Sequence, residues 1–150
     1  MNAAECALTN ERWMRKPVCA WLVAQGFLPV FEVCISCRQA DIVAGRFEGR
    51  SLVEAVAVEL KLSAISEVIE QAAGNARTVG LSYAAMPVDV VNGMREATFM
   101  RFANAGIGLL AVSQEDVEEA VAPQRGLIAE RHRASLEKRL WRRRNEYLKA

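Results

Sequence analysis

The sequence has a single histidine, His132, among 150 residues. Catalytic triads built on histidine, and nucleases that hold a metal between histidines, fit that count poorly. No apolar run reaches the roughly 18 residues that a membrane-spanning helix needs. The opening MNAAECALTNERW has no positively charged stretch followed by an apolar one, so no signal peptide is expected. Four cysteines in a chain of this size demand no disulfide framework, which makes a reducing cytoplasm the expected setting. Proline and glycine are scarce, at 4 and 9 residues, and a disordered or low-complexity chain is excluded. No glycine-rich phosphate loop is present. Gly106-Ile107-Gly108 lacks the rest of either fingerprint, so no nucleotide cofactor is expected.

What is there is the composition of a folded domain: 52% apolar and 25% charged residues. Net charge is +1, but its distribution is uneven. Residues 129–150 hold eight Lys and Arg against three acids, while the other 128 residues hold eleven against fifteen. Periodicity predicts a helix over 11–25, with Pro17 in its first turn and Gly26 as its stop. Strands follow at 28–35, 40–47 and 55–62, the first two joined as a hairpin through Ser36-Cys37-Arg38-Gln39. Ser63 is the expected cap of a helix over 64–78, with Glu67 in its first turns. A strand at 81–86 stopped by Pro87, a helix at 94–105, strands at 107–112 and 117–121, and a helix from 129 to 148 complete the order αβββαβαβ(β)α. That order predicts an α/β domain with a mixed central sheet and helices on both faces. The division expected is a core over 1–128 and a basic C-terminal helix over 129–150, within one domain or as an interaction element.

Two strands carry charges inside apolar runs. In ADIVAGRF, Asp41 stands ahead of Ile42 and Val43; in VAVELKLS, Glu59 and Lys61 interrupt Val58, Leu60 and Leu62. Strand side chains alternate, so Glu59 and Lys61 share one face. Burying such charges is costly unless they are paired or bind a metal. With Asp41 on a neighbouring strand, two carboxylates meet, and a divalent cation resolves their repulsion. Mg²⁺ or Mn²⁺ suits these hard oxygen ligands. The metal activates water, and Lys61 orients it or offsets charge developing on phosphate. These parts suit phosphodiester hydrolysis.

Asp41, a gap of 17 residues, then Glu59-Leu60-Lys61 resembles the signature of the PD-(D/E)xK nuclease superfamily, the restriction-endonuclease-like fold shared by Holliday-junction resolvases and many small nucleases. The resemblance covers residues 11–86 and continues to about 112. It implies metal binding by Asp41 and Glu59 and assistance to the water by Lys61. Ala40 stands where the family's name has Pro. The resemblance further implies an acid from the first helix, matched by Glu11, and a polar residue from the helix after ExK, matched by Gln71, with Glu67, Glu70 and Asn75 near it. Glu32 is a candidate to lie across from Asp41. DNA is the implied substrate, held by Arg38, Arg46 and Arg77 and by the Arg142–Arg143–Arg144 run, and a homodimer is the expected assembly.

Plainer readings stand beside these. Glu59 and Lys61 also fit a solvated edge-strand face, and Asp41 a turn-proximal acid. Cys34 and Cys37 form a C-x2-C, but a four-ligand zinc site would need Cys6, Cys19 or His132, all distant in sequence. Free cysteines packed as small apolar residues are the simpler account. The basic C-terminal helix reads equally as a phosphate contact or a solvated face, with Leu136, Leu140, Trp141 and Leu148 to pack on the domain or a partner. A rival to catalysis is a silent module of the same fold, serving a larger restriction, repair or mobile-element machine.

Overall fold

A computed structural model describes residues 10–149. It opens with a 3-10 turn, Glu11–Met14, whose second amide is satisfied by Asn10 Oδ1 accepting from Arg12 N at 2.8 Å. Helix α1, Arg15–Ala24, follows directly, and Pro17 is its third residue, where no intrahelical N–H is needed. Met14, Val18 and Leu22 recur at a spacing of four and form its buried stripe.

Strands β1 (Leu28–Ile35), β2 (Arg38–Glu48) and β3 (Ser51–Leu60) form an antiparallel meander. Helix α2 (Ile65–Val79) leads to β4 (Ser82–Pro87), parallel to β3. A short helix α3 (Val88–Asn92) and α4 (Glu96–Asn104) lead to β5 (Gly108–Val112), parallel to β4, and β6 (Val117–Val121) returns antiparallel. The sheet is six-stranded and mixed, in sequential order β1 to β6. The chain is thus α/β with helices flanking a mixed sheet, as the alternation of elements predicts.

Alternation divides the sheet's residues between two layers. Ile42, Ala44, Val56, Val58, Leu60, Ala85 and Leu110 pack against α1. Opposite them, Ala84, Met86, Leu109 and Ala111 meet Val68 and Ala72 of α2, Val91 of α3 and Phe102 of α4. On that second face Val43, Ala55 and Ala57 meet Leu136 and Leu140 of α5, Glu130–Arg142. Both parallel crossovers put their helices on this second face, as a consistent crossover hand requires.

Four local expectations are corrected. β3 begins at Ser51 rather than 55, because the Gly49-Arg50 turn is tight and the ladder starts at once with Glu48 opposite Ser51. Ser63 does not cap α2. The chain enters that helix through Ala64 in a left-handed conformation, φ 60°, with no side-chain cap. Pro87 ends β4 but starts α3, since its fixed φ suits a helix entry. The C-terminal helix stops at Arg142, and a 3-10 turn over Glu146–Lys149 follows.

That stop has a use. Leu136 and Leu140 belong to the second face, whereas Tyr147 packs on the α1 face, so the tail rounds the free edge of β1. Glu146 Oε1 accepts from Phe31 N at 3.1 Å, and Arg143 and Arg139 donate to the carbonyls of Phe31 and Cys34. An open edge is thereby capped by side chains.

Candidate active site

β2 and β3 pair up to Ile42 opposite Val58. Just beyond that last pair Asp41 comes level with Glu59, whose side chain meets α2. The ladder ends there because a side chain replaces the backbone: Asp41 Oδ2 accepts from Leu60 N at 2.8 Å. The Asp41 carboxylate is close enough to Glu59 to act on its ionisation.

Glu59 is 2% exposed. Asn75, equally buried on α2, donates its Nδ2 to Glu59 Oε1 at 2.8 Å, and Arg38 Nη2 approaches the same oxygen at 3.4 Å. Burial outweighs these partners and, with the Asp41 charge adding to it, pushes the Glu59 carboxyl up to about 7. Two buried polar atoms close by have no partner, Asn75 Oδ1 and Arg38 Nε.

Lys61 lies just past the end of β3, its backbone N–H bonded to Ala85 O at 3.0 Å. Its ammonium pairs with Glu67 Oε1 at 3.0 Å, which holds the amine above the ordinary lysine range. Gln71 donates to that same Glu67 oxygen at 3.1 Å. Glu11 is near enough to act electrostatically on Lys61, and with Asn10, Arg12 and Leu62 it lines an open hollow of about 560 Å³.

The fold therefore gathers Asp41, Glu59, Lys61 and Arg38, with Glu11 and Gln71 at the margin. Asn75, not Gln71, is the α2 residue that touches a carboxylate of the pair. Glu67, Gln71 and Asn75 share a helical face at a spacing of four, so the stripe was legible but not which rung met the sheet. Glu32 is across from Asp41 by register, but its backbone is left-handed, φ 53°, and its side chain joins Arg15 at 3.1 Å and Arg12 at 3.9 Å.

The other candidate cations lie elsewhere. Arg46 pairs with Glu54 at 3.7 Å, at the opposite end of the hairpin. Arg77 is in the last turn of α2, lining a hollow of about 410 Å³ with Gly80, Gly106, Gln124 and Arg125. Arg143 is held by Glu146 at 2.8 Å, Arg144 lies 4.0 Å over the Trp141 ring, and Arg142 is exposed. Cys34 and Cys37 are exposed and Cys19 is buried, its thiol pushed up to about 11 by burial. Cys6 lies outside the described residues.

Among the described residues, no group of three or more His, Cys, Asp or Glu side chains gathers in one place. The Asp41–Glu59 pair still fits a hard divalent cation, which takes one or two carboxylates and completes its shell with water and phosphate. Two acids pressed together, one of them buried and reluctant to ionise, are the donor set that such a cation would relieve. The orphaned Asn75 oxygen adds a hard donor atom nearby. No helix among the described residues is long and apolar enough to cross a membrane.

No protein-family model matches the sequence, and no curated protein matches it. Among solved structures, the chain is similar to the SPO1766 protein of unknown function from Silicibacter pomeroyi, with a TM-score of 0.67 at 17% identity. The match covers 93% of this chain and 89% of that one, and it shows a shared fold and nothing of function.

Proposed function

We propose that the chain is a metal-dependent nuclease of the restriction-endonuclease-like fold, hydrolysing DNA phosphodiester bonds. The observation that carries this reading is the meeting of Asp41 and Glu59 on adjacent strands with Lys61 two residues beyond. In this reading Asp41 and Glu59 hold Mg²⁺ or Mn²⁺, which when bound supplies an activated water and a Lewis acid for the phosphoryl oxygen. Lys61 carries its proton firmly, so it serves as a fixed positive charge beside the phosphate rather than as a base. Glu67 keeps the ammonium aimed, and Gln71 keeps Glu67 in place. Asn75 fixes the rotamer of Glu59. A homodimer would supply two such sites for two strands.

A thermal melt tests the cation site. Mg²⁺ or Mn²⁺ should raise the melting temperature, since a ligand bound only by the folded state stabilises it. Asp41→Asn should shrink the rise, and no rise in the wild type would count against the reading.

One observation favours a silent module of the same fold. The candidate groups already have protein partners, Glu59 with Asn75 and Arg38, and Lys61 with Glu67. A module of that kind, acting within a restriction, repair or mobile-element complex, would keep its role after Lys61→Ala.

A further inference from the structure

Glu59 already has a cation beside it, and a loosely held one. Arg38 Nη2 stands 3.4 Å from Glu59 Oε1, whereas charge-assisted N–H to carboxylate bonds usually span about 2.7–2.9 Å. That oxygen is taken at 2.8 Å by Asn75. The Arg38 Nε is buried without a partner, while 38% of the side chain is exposed. A guanidinium with one orphaned donor, one long contact and an open side is placed by charge rather than by a filled set of hydrogen bonds. Its positive charge favours the ionised form of buried Glu59 against the neighbouring Asp41 charge, adding to the larger help of the Asn75 hydrogen bond. It also begins β2, three residues before Asp41, so it cannot drift far from the site.

We propose that Arg38 is a monovalent stand-in for the divalent cation. In the free protein it neutralises the Asp41–Glu59 pair, and with the cation bound it turns to the phosphate of the substrate. The inference rests on the nuclease reading and assigns one residue two successive partners. Guanidinium suits the second, since its planar fork matches two phosphate oxygens. The consequences are opposite in sign: Arg38 competes with the cation and assists the nucleic acid.

The test uses the full chain and Arg38→Met, which keeps the aliphatic stem and removes the charge, beside Arg38→Lys and Asp41→Asn. Calorimetric titration with Ca²⁺ at pH 8.5 reads cation affinity, and fluorescence anisotropy of a labelled oligonucleotide in saturating Ca²⁺ reads the phosphate contact. Arg38→Met should bind Ca²⁺ up to about tenfold more tightly and the oligonucleotide about tenfold more weakly. Arg38→Lys should bind Ca²⁺ as the wild type does and the oligonucleotide more weakly, because the charge stays and the fork is lost. Unchanged or weaker Ca²⁺ binding by Arg38→Met overturns the proposal, as does unchanged oligonucleotide binding. If Asp41→Asn loses Ca²⁺ while Arg38→Met matches the wild type, the inference fails and the cation site stands. If no variant and no wild type takes up Ca²⁺, both fail together.

Discussion

The β2–β3 hairpin carries charged residues at both ends, and the two ends are built on opposite rules. At one end Arg46 faces Glu54, opposite charges 3.7 Å apart, with 41% and 26% of their side chains exposed. Arg125 joins the same Glu54 at 2.9 Å. At the other end Asp41 faces Glu59, like charges, and Glu59 is buried. Opposite charges across strands stabilise by a few tenths of a kcal/mol to about 1, while like charges directly opposite destabilise. The Arg46 end follows what sheet stability favours. The Asp41 end departs from it and recruits Asn75, Arg38 and the Leu60 amide to tolerate the departure. Glu59 is thus a buried, incompletely compensated charge at the end of the β2–β3 ladder, the kind of feature that clusters at functional sites.

The largest effects are expected at the acidic end. In the nuclease reading Lys61→Ala removes the fixed cation beside the phosphate and should lower kcat by about 10²–10³, read in single-turnover cleavage, with the melting temperature nearly unchanged. Glu59→Gln should abolish metal-stimulated cleavage and yet make the metal-free protein more stable at pH 8. The sign follows from linkage. The Glu59 carboxyl ordinarily titrates near 4.5 and is pushed up to about 7 in the folded chain, so the folded state binds the extra proton. Its contribution is fully present below about 4.5 and is lost as pH rises through about 7. Denaturant unfolding without metal should therefore show stability falling by up to about 3 kcal/mol between pH 4.5 and 8, and Glu59→Gln should flatten that fall. A flat profile in the wild type would contradict the buried, raised carboxyl.

The fold and the site were legible to different depths. Parity alone put Glu59 and Lys61 on one face, and Asp41 fell on the preceding strand, separated from theirs only by the turn-like Glu48-Gly49-Arg50-Ser51. Parity could not say which end of a strand lies at the site, so Arg46, five residues past Asp41, looked as eligible as Arg38. Nor could it separate Gln71 from Asn75 on one helical stripe. Ser63 offered an ordinary cap, and only the path from β3 back over the sheet forces Ala64 into the left-handed region. The Arg142–Arg144 run read equally as a phosphate contact or a solvated face, yet Arg143, with Arg139, is occupied by the open backbone of β1, an edge that only the finished sheet reveals.

Smaller effects sharpen the contrast. Asn75→Ala leaves Glu59 without its best donor and should cost about 1–3 kcal/mol, seen as a lower unfolding midpoint at pH 8. Its effect should be weaker at pH 5, where the Glu59 carboxyl is protonated. Glu54→Ala, at the opposite-charge end, should change stability by no more than about 1 kcal/mol and leave the metal-induced melting shift intact. A loss of metal response on Glu54→Ala would mean that the two ends are not functionally distinct.

The most direct measurement is cleavage of supercoiled, linear, single-stranded and branched DNA with Mg²⁺ or Mn²⁺, run beside Glu59→Ala and Lys61→Ala. Metal-dependent cutting of at least one substrate, abolished by both substitutions, is expected. A folded wild-type protein that cuts none of them, or variants that cut as well as the wild type, would contradict it.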